Sequence, residues 1–393
     1  GQDADFDLMN YHLYNAFALI DGRIGVDLAP GSHQTFFNPL LDLPYYFLAV
    51  EWLPAYPRVV AAVQGLAYGL LVFLAFRINR RVFRAGDTGG TLLAVIATAI
   101  GVTGAATISE IGTTMGDIPV AGFVLAGILL LLRGEESAGR GAVIGDGVAG
   151  LLFGAAAGLK LVGAIFAPAA VVALLVVGAL RTRAVWRAGV FAGGAAIGFA
   201  LTYGWWAWRM WTLTGSPAFP FFNRLFGSPW LPLTDFLDKR FLPRSVMQAL
   251  YYPFWWIQKQ HSLVTELDFR DLRLALACVA VAALAIAAAT GWRRALQNRP
   301  IVFLAVFAVV GYVAWEWIFS ILRYAVVLEV LSGTLIVAAI TAAMGTFTRR
   351  RVLHAVAAGA VFVGVLAWTM PLNWGRVPFG SRTFAVDVAP LPP

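Results

Sequence analysis

Long apolar segments separated by short polar ones run through most of this chain. A helix that crosses a bilayer needs about 20 mainly apolar residues, and ten segments approach or reach that length. The predicted spans are residues 58–76, 91–108, 118–132, 145–159, 161–180, 185–210, 272–290, 301–319, 324–346 and 352–370. Two of them, 118–132 and 145–159, are short for a bilayer core of about 30 Å. This pattern predicts an all-α polytopic membrane protein.

Two further stretches have patterns of their own. Residues 41–53 are apolar but too short to cross, and they contain Pro44, so we interpret them as an interfacial or re-entrant piece. The run 145–163 is rich in Gly and Ala, and Gly150 and Gly154 form a GxxxG pattern within it. Small residues at this spacing let two helices approach closely in a membrane, so we expect tight helix packing here.

Composition agrees with the apolar pattern. The 393 residues are 60% hydrophobic and only 13% charged, whereas soluble domains are about 45–50% apolar and about 25% charged. The 14 Trp and 28 Phe suit interfacial aromatic belts. The net charge of +8 does not indicate a nucleic-acid partner, because the basic residues form short clusters between apolar segments. The abundance of Arg and Ala over Lys is typical of a bacterium with a GC-rich genome.

The basic clusters predict the orientation. They are Arg77, Arg80, Arg81 and Arg84; Arg133 and Arg140; Arg181, Arg183 and Arg187; Arg293, Arg294 and Arg299; and Arg349, Arg350 and Arg351. Ten spans place all five clusters on one side, which the positive-inside rule makes cytoplasmic. We therefore expect a multi-pass protein of the bacterial inner (plasma) membrane. All but four of its 21 acidic residues face outward or lie at the outer ends of helices.

A single domain, 1–393, follows from this arrangement. Residues 1–57 form the first extracytoplasmic loop, 58–210 hold six spans, 211–271 form a second long loop, 272–371 hold four spans, and 372–393 form an extracytoplasmic tail. The shorter outer loops are 109–117, the turn at Lys160 and 320–323. Since residue 1 opens directly into a polar, acidic segment, we expect that a preceding span is absent from this sequence.

The first candidate for chemistry is the acidic opening, where Asp3, Asp5 and Asp7 alternate with other residues. Crowded carboxylates raise one another's pKa, and such a cluster suits a general base or an oxygen-ligated divalent cation. If 7–15 is helical, Asp7, Tyr11 and Asn15 share one face. The alternative interpretation is a solvated acidic terminus.

Polar residues of the remaining outer loops supply further candidates. His33, Gln34 and Asn38 lie in a turn-rich stretch and could bind hydroxyl groups or be structural. His12 and His33 lack the tight spacing of zinc ligands. Glu110 and Asp117 lie at opposite ends of a short loop, and Asp117, two residues before Pro119, could also cap the next helix.

Two cations at the outer face complete the set. Lys160 lies between two apolar spans, where it either snorkels to the interface or contacts a lipid phosphate. Arg323, followed by Tyr324, lies at headgroup depth. Its guanidinium could grip a phosphate, or it could pair structurally with Glu316, Asp117 or Glu329.

These motifs, in this order, resemble the GT-C glycosyltransferases, the polytopic class that includes dolichyl-phosphate-mannose mannosyltransferases and undecaprenyl-phosphate-sugar-dependent enzymes. The resemblance is carried by the acidic first loop, the acid in the second loop, the sequence Gly158-Leu159-Lys160, the loop 215–223 (Gly-Ser-Pro-Ala-Phe-Pro-Phe-Phe-Asn) and the late Arg323-Tyr324. The loop 215–223 is similar to a Gly-Asn-Pro-x-(Tyr/Phe)-Pro-Phe-x-Asn pattern of bacterial members. In the family the acidic pair is often adjacent, whereas here Phe6 separates Asp5 from Asp7.

The resemblance implies inverting transfer of a sugar from a polyprenyl-phosphate donor to a lipid, glycan or protein acceptor at the outer face. It implies Asp7 as the base, with Asp5 as the second choice, and Lys160 and Arg323 as cations that stabilise the departing phosphate. Asp117 would orient the acceptor or, with Asp5 or Asp7, hold a divalent cation such as Mg²⁺ or Mn²⁺. The residues expected to line the substrate sites are Tyr11, His12, His33, Gln34, Asn38, Glu110 and Tyr324. Membrane lipids are the other expected partners.

Two other functions stay open from the residues alone. A lipid-linked glycan ligase or polymerase would use the late loop 211–271, with Arg240, Arg244 and His261. A polytopic transporter or flippase would carry ionisable residues near the middle of the bilayer and inverted repeats, and the spans show neither pattern. A non-enzymatic scaffold leaves the outward excess of acids unexplained.

Overall fold

The computed structural model of the protein describes residues 1–27, 29–134, 139–235, 237–289, 298–345 and 350–384. Several residues used to predict the orientation lie outside these ranges, namely Glu135, Glu136, Arg293, Arg294 and Arg349, and so do the last residues of the predicted tail. The described part is mostly helical, which confirms the predicted all-α class.

The elements follow one another along the chain as fifteen α-helices and one pair of short strands within the described ranges. The strands are β1 (Gln2–Asp3) and β2 (Arg376–Val377). The helices are α1 (Leu13–Ile20), α2 (Leu43–Tyr46), α3 (Pro57–Val82), α4 (Thr88–Val102), α5 (Ala105–Ser109), α6 (Asp117–Gly134), α7 (Arg140–Leu159), α8 (Phe166–Val177), α9 (Thr182–Thr214), α10 (Asn223–Phe226), α11 (Val246–Trp255), α12 (Arg273–Ala289), α13 (Arg299–Ile318), α14 (Val326–Met344) and α15 (Arg351–Trp368). Tighter 3₁₀ turns cover Ser32–Phe36, Pro39–Leu41, Leu161–Ile165 and Leu322–Ala325, and π-helical turns cover Leu8–His12 and Phe47–Trp52.

Each predicted span coincides with a helix, but the lengths differ from those predicted. Seven helical segments of the described chain are long and apolar enough to cross a membrane: α3, α6, α7, α9, α13, α15, and α14 with the turn before it. The two spans predicted to be short, α6 and α7, are among them. Conversely, three apolar helical segments are shorter. They are α4, α12 and Leu161–Val177, in which a 3₁₀ turn continues into α8. The stretch 41–53 forms helical turns that end at Leu53.

Two helices form the centre of the bundle. The apolar windows of α14 and α6 are 78% and 72% buried, whereas those of α3 and α15 are only 22% buried. The outer helices expose large apolar side chains such as Leu66, Leu201 and Val356. Exposed apolar surface on this scale is costly in water but favourable against lipid. The fold is therefore that of a membrane protein.

Close packing of α7 on α9 confirms the prediction for the glycine-rich run. A Cβ atom on Gly150 would lie 1.9 Å from the carbonyl oxygen of Phe191, and one on Gly154 would lie 1.9 Å from that of Ala195. On the facing helix, a Cβ on Gly194 would lie 2.2 Å from the carbonyl oxygen of Gly147. The two backbones are thus in direct contact, which only glycine permits.

Two adjacent glycines of α9 provide a matched test of this contact. Gly194→Ala should lower the thermal unfolding midpoint in detergent, because its methyl group has no room against α7. Gly193→Ala should leave the midpoint unchanged or raise it, since nothing lies within 4 Å of the added carbon and alanine favours a helix by about 1 kcal/mol over glycine. Equal midpoints for the two variants would contradict the packing.

A break between α4 and α5 shortens the second predicted span and shapes the loop that follows it. Helices leave their first N–H groups without internal acceptors. Here the Glu329 carboxylate accepts hydrogen bonds from the backbone of Ala106 and Thr107 at 3.2 and 2.8 Å, and Asp271 accepts one from Ala105 at 2.9 Å. A side chain at Gly104 would overlap Glu329. Two buried acids therefore fix the start of α5 and, with it, the position of Glu110.

The two ends of the described chain meet beside the same loop. Strands β1 and β2 pair antiparallel, with Gln2 opposite Val377 and Asp3 opposite Arg376. The Arg376 guanidinium donates hydrogen bonds to the carbonyl oxygens of Ser109 and Ile111. The segment predicted as a tail is thus, as far as residue 384, folded against the first and second loops.

Candidate functional site

The acidic opening folds as a buried helical segment rather than a solvated terminus. Residues 8–12 form a π-helical turn that continues into α1, so the regular spacing predicted for 7–15 does not apply. Asp5, Asp7 and Tyr11 are nonetheless all buried. Asp5 accepts a hydrogen bond from the backbone of Leu8 at 2.8 Å, which holds the first turn.

A cluster of charged side chains from four separate segments lies beside this turn; we call it the charge cluster and define it by Asp7, Asp117, Lys160, Arg323 and Tyr324. Arg323 Nη1 donates to Asp7 Oδ2 at 2.7 Å, and Lys160 Nζ donates to Asp117 Oδ1 at 2.6 Å. Both cations face the Tyr324 ring, 5.1 Å from Lys160 Nζ and 5.2 Å from Arg323 Cζ. The two charge pairs thus share one aromatic side chain.

The local fold explains how each cation reaches the cluster. Lys160 follows the last residue of α7 in extended conformation, and its ammonium group also donates to the carbonyl oxygen of Met115 at 2.8 Å. Arg323 lies in the 3₁₀ turn before α14. The side chains of Lys160 and Arg323 remain 18% and 16% exposed, so neither is completely buried. Arg323 forms its ion pair with Asp7. The structural partners predicted for it, Glu316, Asp117 and Glu329, do not pair with it.

Asp5 and Asp7 differ in electrostatic environment. Burial alone would raise the pKa of Asp7, but the charges of Arg323 and His12 outweigh burial and hold it below its ordinary value. Burial and the neighbouring Asp3 raise the pKa of Asp5 to about 7. Asp7 is therefore the ionised carboxylate at neutral pH, whereas Asp5 holds a proton over much of the range below pH 7.

The raised pKa of Asp5 predicts a pH dependence of stability. Between about pH 4 and 7 the folded state keeps a proton that the unfolded state has lost, so the free energy of unfolding falls as pH rises through this window. Asp5→Asn removes this titration. Its free energy of unfolding, relative to that of the wild type, should therefore be higher at pH 8 than at pH 5, by at most a few kcal/mol. Chemical unfolding at the two pH values measures the gain, with the exposed Asp21→Asn as control. A constant difference across the range would contradict the burial of an uncompensated carboxyl group.

His12 forms a second buried pair. Its Nδ1 lies 2.7 Å from Asp42 Oδ1, and although burial opposes it, the Asp42 carboxylate raises the pKa of His12. The rings of Tyr11 and His12 are in contact, and Tyr11 also packs edge-on against Phe37. Asp42 is not predictable from the sequence as this partner, since nothing in the spacing of two residues 30 positions apart indicates that they pair.

Asp3 connects the first loop to the second. Its carboxylate accepts hydrogen bonds from the backbone N–H of Thr114 at 2.8 Å and from the Thr114 hydroxyl at 3.1 Å. This role was also missed, although the alternation of Asp3 with Asp5 and Asp7 marked the residue as unusual. Asp3 is thus a positioning residue for the loop that carries Glu110 and Asp117.

Glu110 lies 2% exposed in that loop. Neither of its carboxylate oxygens has a hydrogen-bond partner among the described residues. Burial and the nearby charge of Asp117 raise the pKa of Glu110 well above its ordinary value, which favours the protonated carboxyl group.

Of the three polar residues predicted to bind hydroxyl groups, Asn38 uses its side chain to hold the first loop in place. Asn38 donates to the carbonyl oxygens of Gly158 and Thr202 at 2.9 and 3.0 Å, which ties the loop to α7 and α9. The backbone carbonyl oxygen of Gln34 accepts a hydrogen bond from the side-chain amide of Asn15 at 2.9 Å. The His33 ring packs edge-on against Phe37. The contacts of Asn38 are structural, because both hydrogens of its amide are engaged.

The three late-loop residues named for a ligase or polymerase, Arg240, Arg244 and His261, lie at the surface of that loop. Arg240 pairs with Asp238 and Glu266, and its side chain is 65% exposed. His261 lies 3.0 Å from Asp268, also exposed. Arg244, through its backbone N–H, bonds Gln248. These contacts are local to 211–271.

The acids predicted as metal ligands lie in different environments, and two of them are in ion pairs. Among the described residues, no group of three or more His, Cys, Asp or Glu side chains is arranged to hold a metal ion. Asp7 is paired with the Arg323 side chain, and Asp117 is paired with the Lys160 side chain.

Comparison with known protein families, curated proteins and solved structures finds no match. The function must therefore be inferred from the chemistry of the site.

Proposed function

We propose that this protein is a membrane glycosyltransferase of the GT-C type, which transfers a sugar with inversion from a polyprenyl-phosphate donor to an acceptor at the extracytoplasmic face. The observation that carries the proposal is the convergence of Asp7, Asp117, Lys160 and Arg323 from four outer segments around Tyr324. We further propose ten membrane crossings in a bacterial inner membrane, with the charge cluster facing the periplasm.

The charge cluster meets the needs of a donor phosphate. Lys160 and Arg323 balance the charges of Asp117 and Asp7, so the four side chains are together neutral. Of the five N–H donors of a guanidinium, Arg323 uses one for Asp7 within the described chain. A phosphodiester can therefore be accepted by the remaining donors while its charge is stabilised by both cations.

In the reaction we propose, Asp7 accepts the proton of the acceptor hydroxyl while that oxygen attacks the anomeric carbon from the side opposite the phosphate. The bond between the anomeric carbon and the phosphate oxygen breaks, and its electron pair leaves with the phosphate, where Lys160 and Arg323 stabilise the added charge. A phosphate that competes for Arg323 weakens the attraction that lowers the pKa of Asp7. Donor binding thereby makes Asp7 a stronger base at the moment it is needed.

The local pairing of Arg240 and His261 gives no comparable cluster for a ligase or polymerase in the late loop. A transporter is less consistent with a charge cluster confined to one end of the helices.

The proposal is tested by binding undecaprenyl phosphate, without a sugar, to the protein in lipid nanodiscs. We expect its phosphate in a cryo-electron microscopy map beside Lys160 and Arg323. Lys160→Gln should weaken binding about tenfold, equivalent to about 1.4 kcal/mol. Lys259→Gln is the matched control, because Lys259 pairs with Asp268 in the exposed loop. Phosphate bound at the cytoplasmic face would end the proposal.

A further inference from the structure

A cavity of about 170 Å³ adjoins the charge cluster on the side of the second loop. Its walls come from the first loop, from α3, from the second loop and from the first turn of α6. Gly116 and Ile118, on either side of Asp117, line it, so the cavity is one residue away from the carboxylate that binds Lys160. Neither cation of the charge cluster lines the cavity.

Two polar groups in the wall of this cavity lack partners. Glu110 has no hydrogen bond to either carboxylate oxygen, and His12 has none at Nε2, among the described residues. Both side chains are more than nine-tenths buried. A buried polar atom without a partner costs about 1–3 kcal/mol, so three such atoms on two residues of one cavity wall favour an occupant that can bond them.

The rest of the lining defines the chemistry of the occupant. Gln64 and Thr113 add further polar groups, whereas Leu41, Leu48 and Val63 supply apolar walls. Drug-sized ligands need cavities of about 300–1,000 Å³, so this one fits a single small ring. A ring with hydroxyl groups on its edge and C–H groups on its faces matches such a lining.

We propose that this cavity is a monosaccharide subsite, in which Glu110 and His12 hydrogen-bond the hydroxyl groups of one sugar ring. The inference rests on the proposed function and extends it, since it states where a sugar binds relative to the phosphate. The sugar belongs either to the donor or to the acceptor, and the two sources are separated by experiment.

The first test measures binding of four methyl glycosides (gluco, manno, galacto and arabino) to the protein in nanodiscs by saturation-transfer NMR. At least one should bind the wild type. Ala67→Trp should lower its affinity at least tenfold, because Ala67 lines the cavity. Ala62→Trp, on the exposed face of the same helix, should bind normally. Equal affinities for the two tryptophan variants would overturn the assignment.

Substitutions at Glu110 test the hydrogen bonding. Glu110→Gln retains a donor and an acceptor of the same length and should bind the glycoside within about threefold of the wild type, whereas Glu110→Ala should lose about tenfold. Equal binding by the alanine variant would show that Glu110 takes no part.

The source of the sugar is found by adding a lipid first. Unsugared undecaprenyl phosphate should leave glycoside binding intact. A farnesyl-phosphate-linked form of the same sugar should abolish glycoside binding if the cavity holds the donor sugar. The same compound should leave glycoside binding intact if the cavity holds the acceptor sugar. Phosphate binding without any glycoside binding would refute the subsite alone, whereas loss of both would refute the proposed function as well.

Discussion

Asp7→Asn should abolish sugar transfer, with a loss of 10²-fold or more, while donor binding is kept or strengthened. General base catalysis contributes about 10²–10⁴-fold, and asparagine cannot accept the proton. The amide oxygen can still receive the hydrogen bond from Arg323, so the fold should persist. Because the charge that competes with the donor phosphate is removed, the affinity for undecaprenyl phosphate should not fall. The measurement is release of the polyprenyl phosphate from a panel of polyprenyl-phosphate-linked sugars in proteoliposomes.

Asp27→Asn is the matched control for this variant. Asp27 also pairs with an arginine in the first loop, Arg23, but this pair is solvent-exposed. Its loss should leave transfer unchanged. A fully active Asp7→Asn enzyme would remove the base assignment, and an inactive Asp5→Asn beside it would transfer that role to Asp5.

Arg323→Gln should show the largest combined effect on donor affinity and stability. It removes one of the two cations proposed for the phosphate, and it leaves the buried Asp7 carboxylate without its main counter-charge. Breaking a buried ion pair on one side costs about 3–5 kcal/mol, and the residual exposure of this pair places the expected loss near the lower end. Undecaprenyl phosphate should bind at least tenfold more weakly.

The double variant Asp7→Asn/Arg323→Gln separates the two effects. It should recover most of the stability, because no unpaired charge remains, but neither donor affinity nor transfer. Arg23→Gln, at the exposed pair, should change stability by less than about 1 kcal/mol. If Arg323→Gln and the double variant were equally unstable, the Asp7–Arg323 contact would have no energetic importance.

How far the sequence predicts this molecule depends on the feature considered. The helices follow from the apolar runs, because lipid-facing and core-facing positions both demand apolar residues. The residues of the charge cluster were also singled out from the sequence, because Asp7 belongs to the acidic opening and Asp117, Lys160 and Arg323 stand at the ends of apolar spans. Lys160, for example, is conspicuous between two apolar spans.

The pairings could not be predicted in the same way. Arg323 bonds Asp7, 316 residues earlier, and only the packing of the whole bundle decides this against Glu316, Asp117 or Glu329. The break before α5 was missed because Glu329, which caps it, is remote in sequence. The two unpartnered groups at the cavity, on Glu110 and His12, are properties of the folded chain alone.

The pairing of β1 with β2 also restricts the number of membrane crossings by parity. Two segments that pair lie on the same side, so the chain between them crosses an even number of times, and the seven long helices cannot be the whole set. The same rule applies to any two segments that meet at the charge cluster or the second loop, because they also lie on the same side. Between Asp7 and Glu110 the chain has only α3 and α4 to cross with, so the short helix α4 must cross if α3 does. From Lys160 to Arg323, α9 and α13 already make an even pair, so α8 and α12 cross together or not at all. Contacts within this interval decide between the two, because Phe219, after α9, packs on Phe36 of the first loop and Val264, before α12, accepts a hydrogen bond from the backbone of Leu322. α8 therefore crosses if α9 does, and α12 crosses if α13 does. If the seven long helices all cross, the chain crosses ten times, and accessibility labelling near Val177, at the end of α8, tests this number.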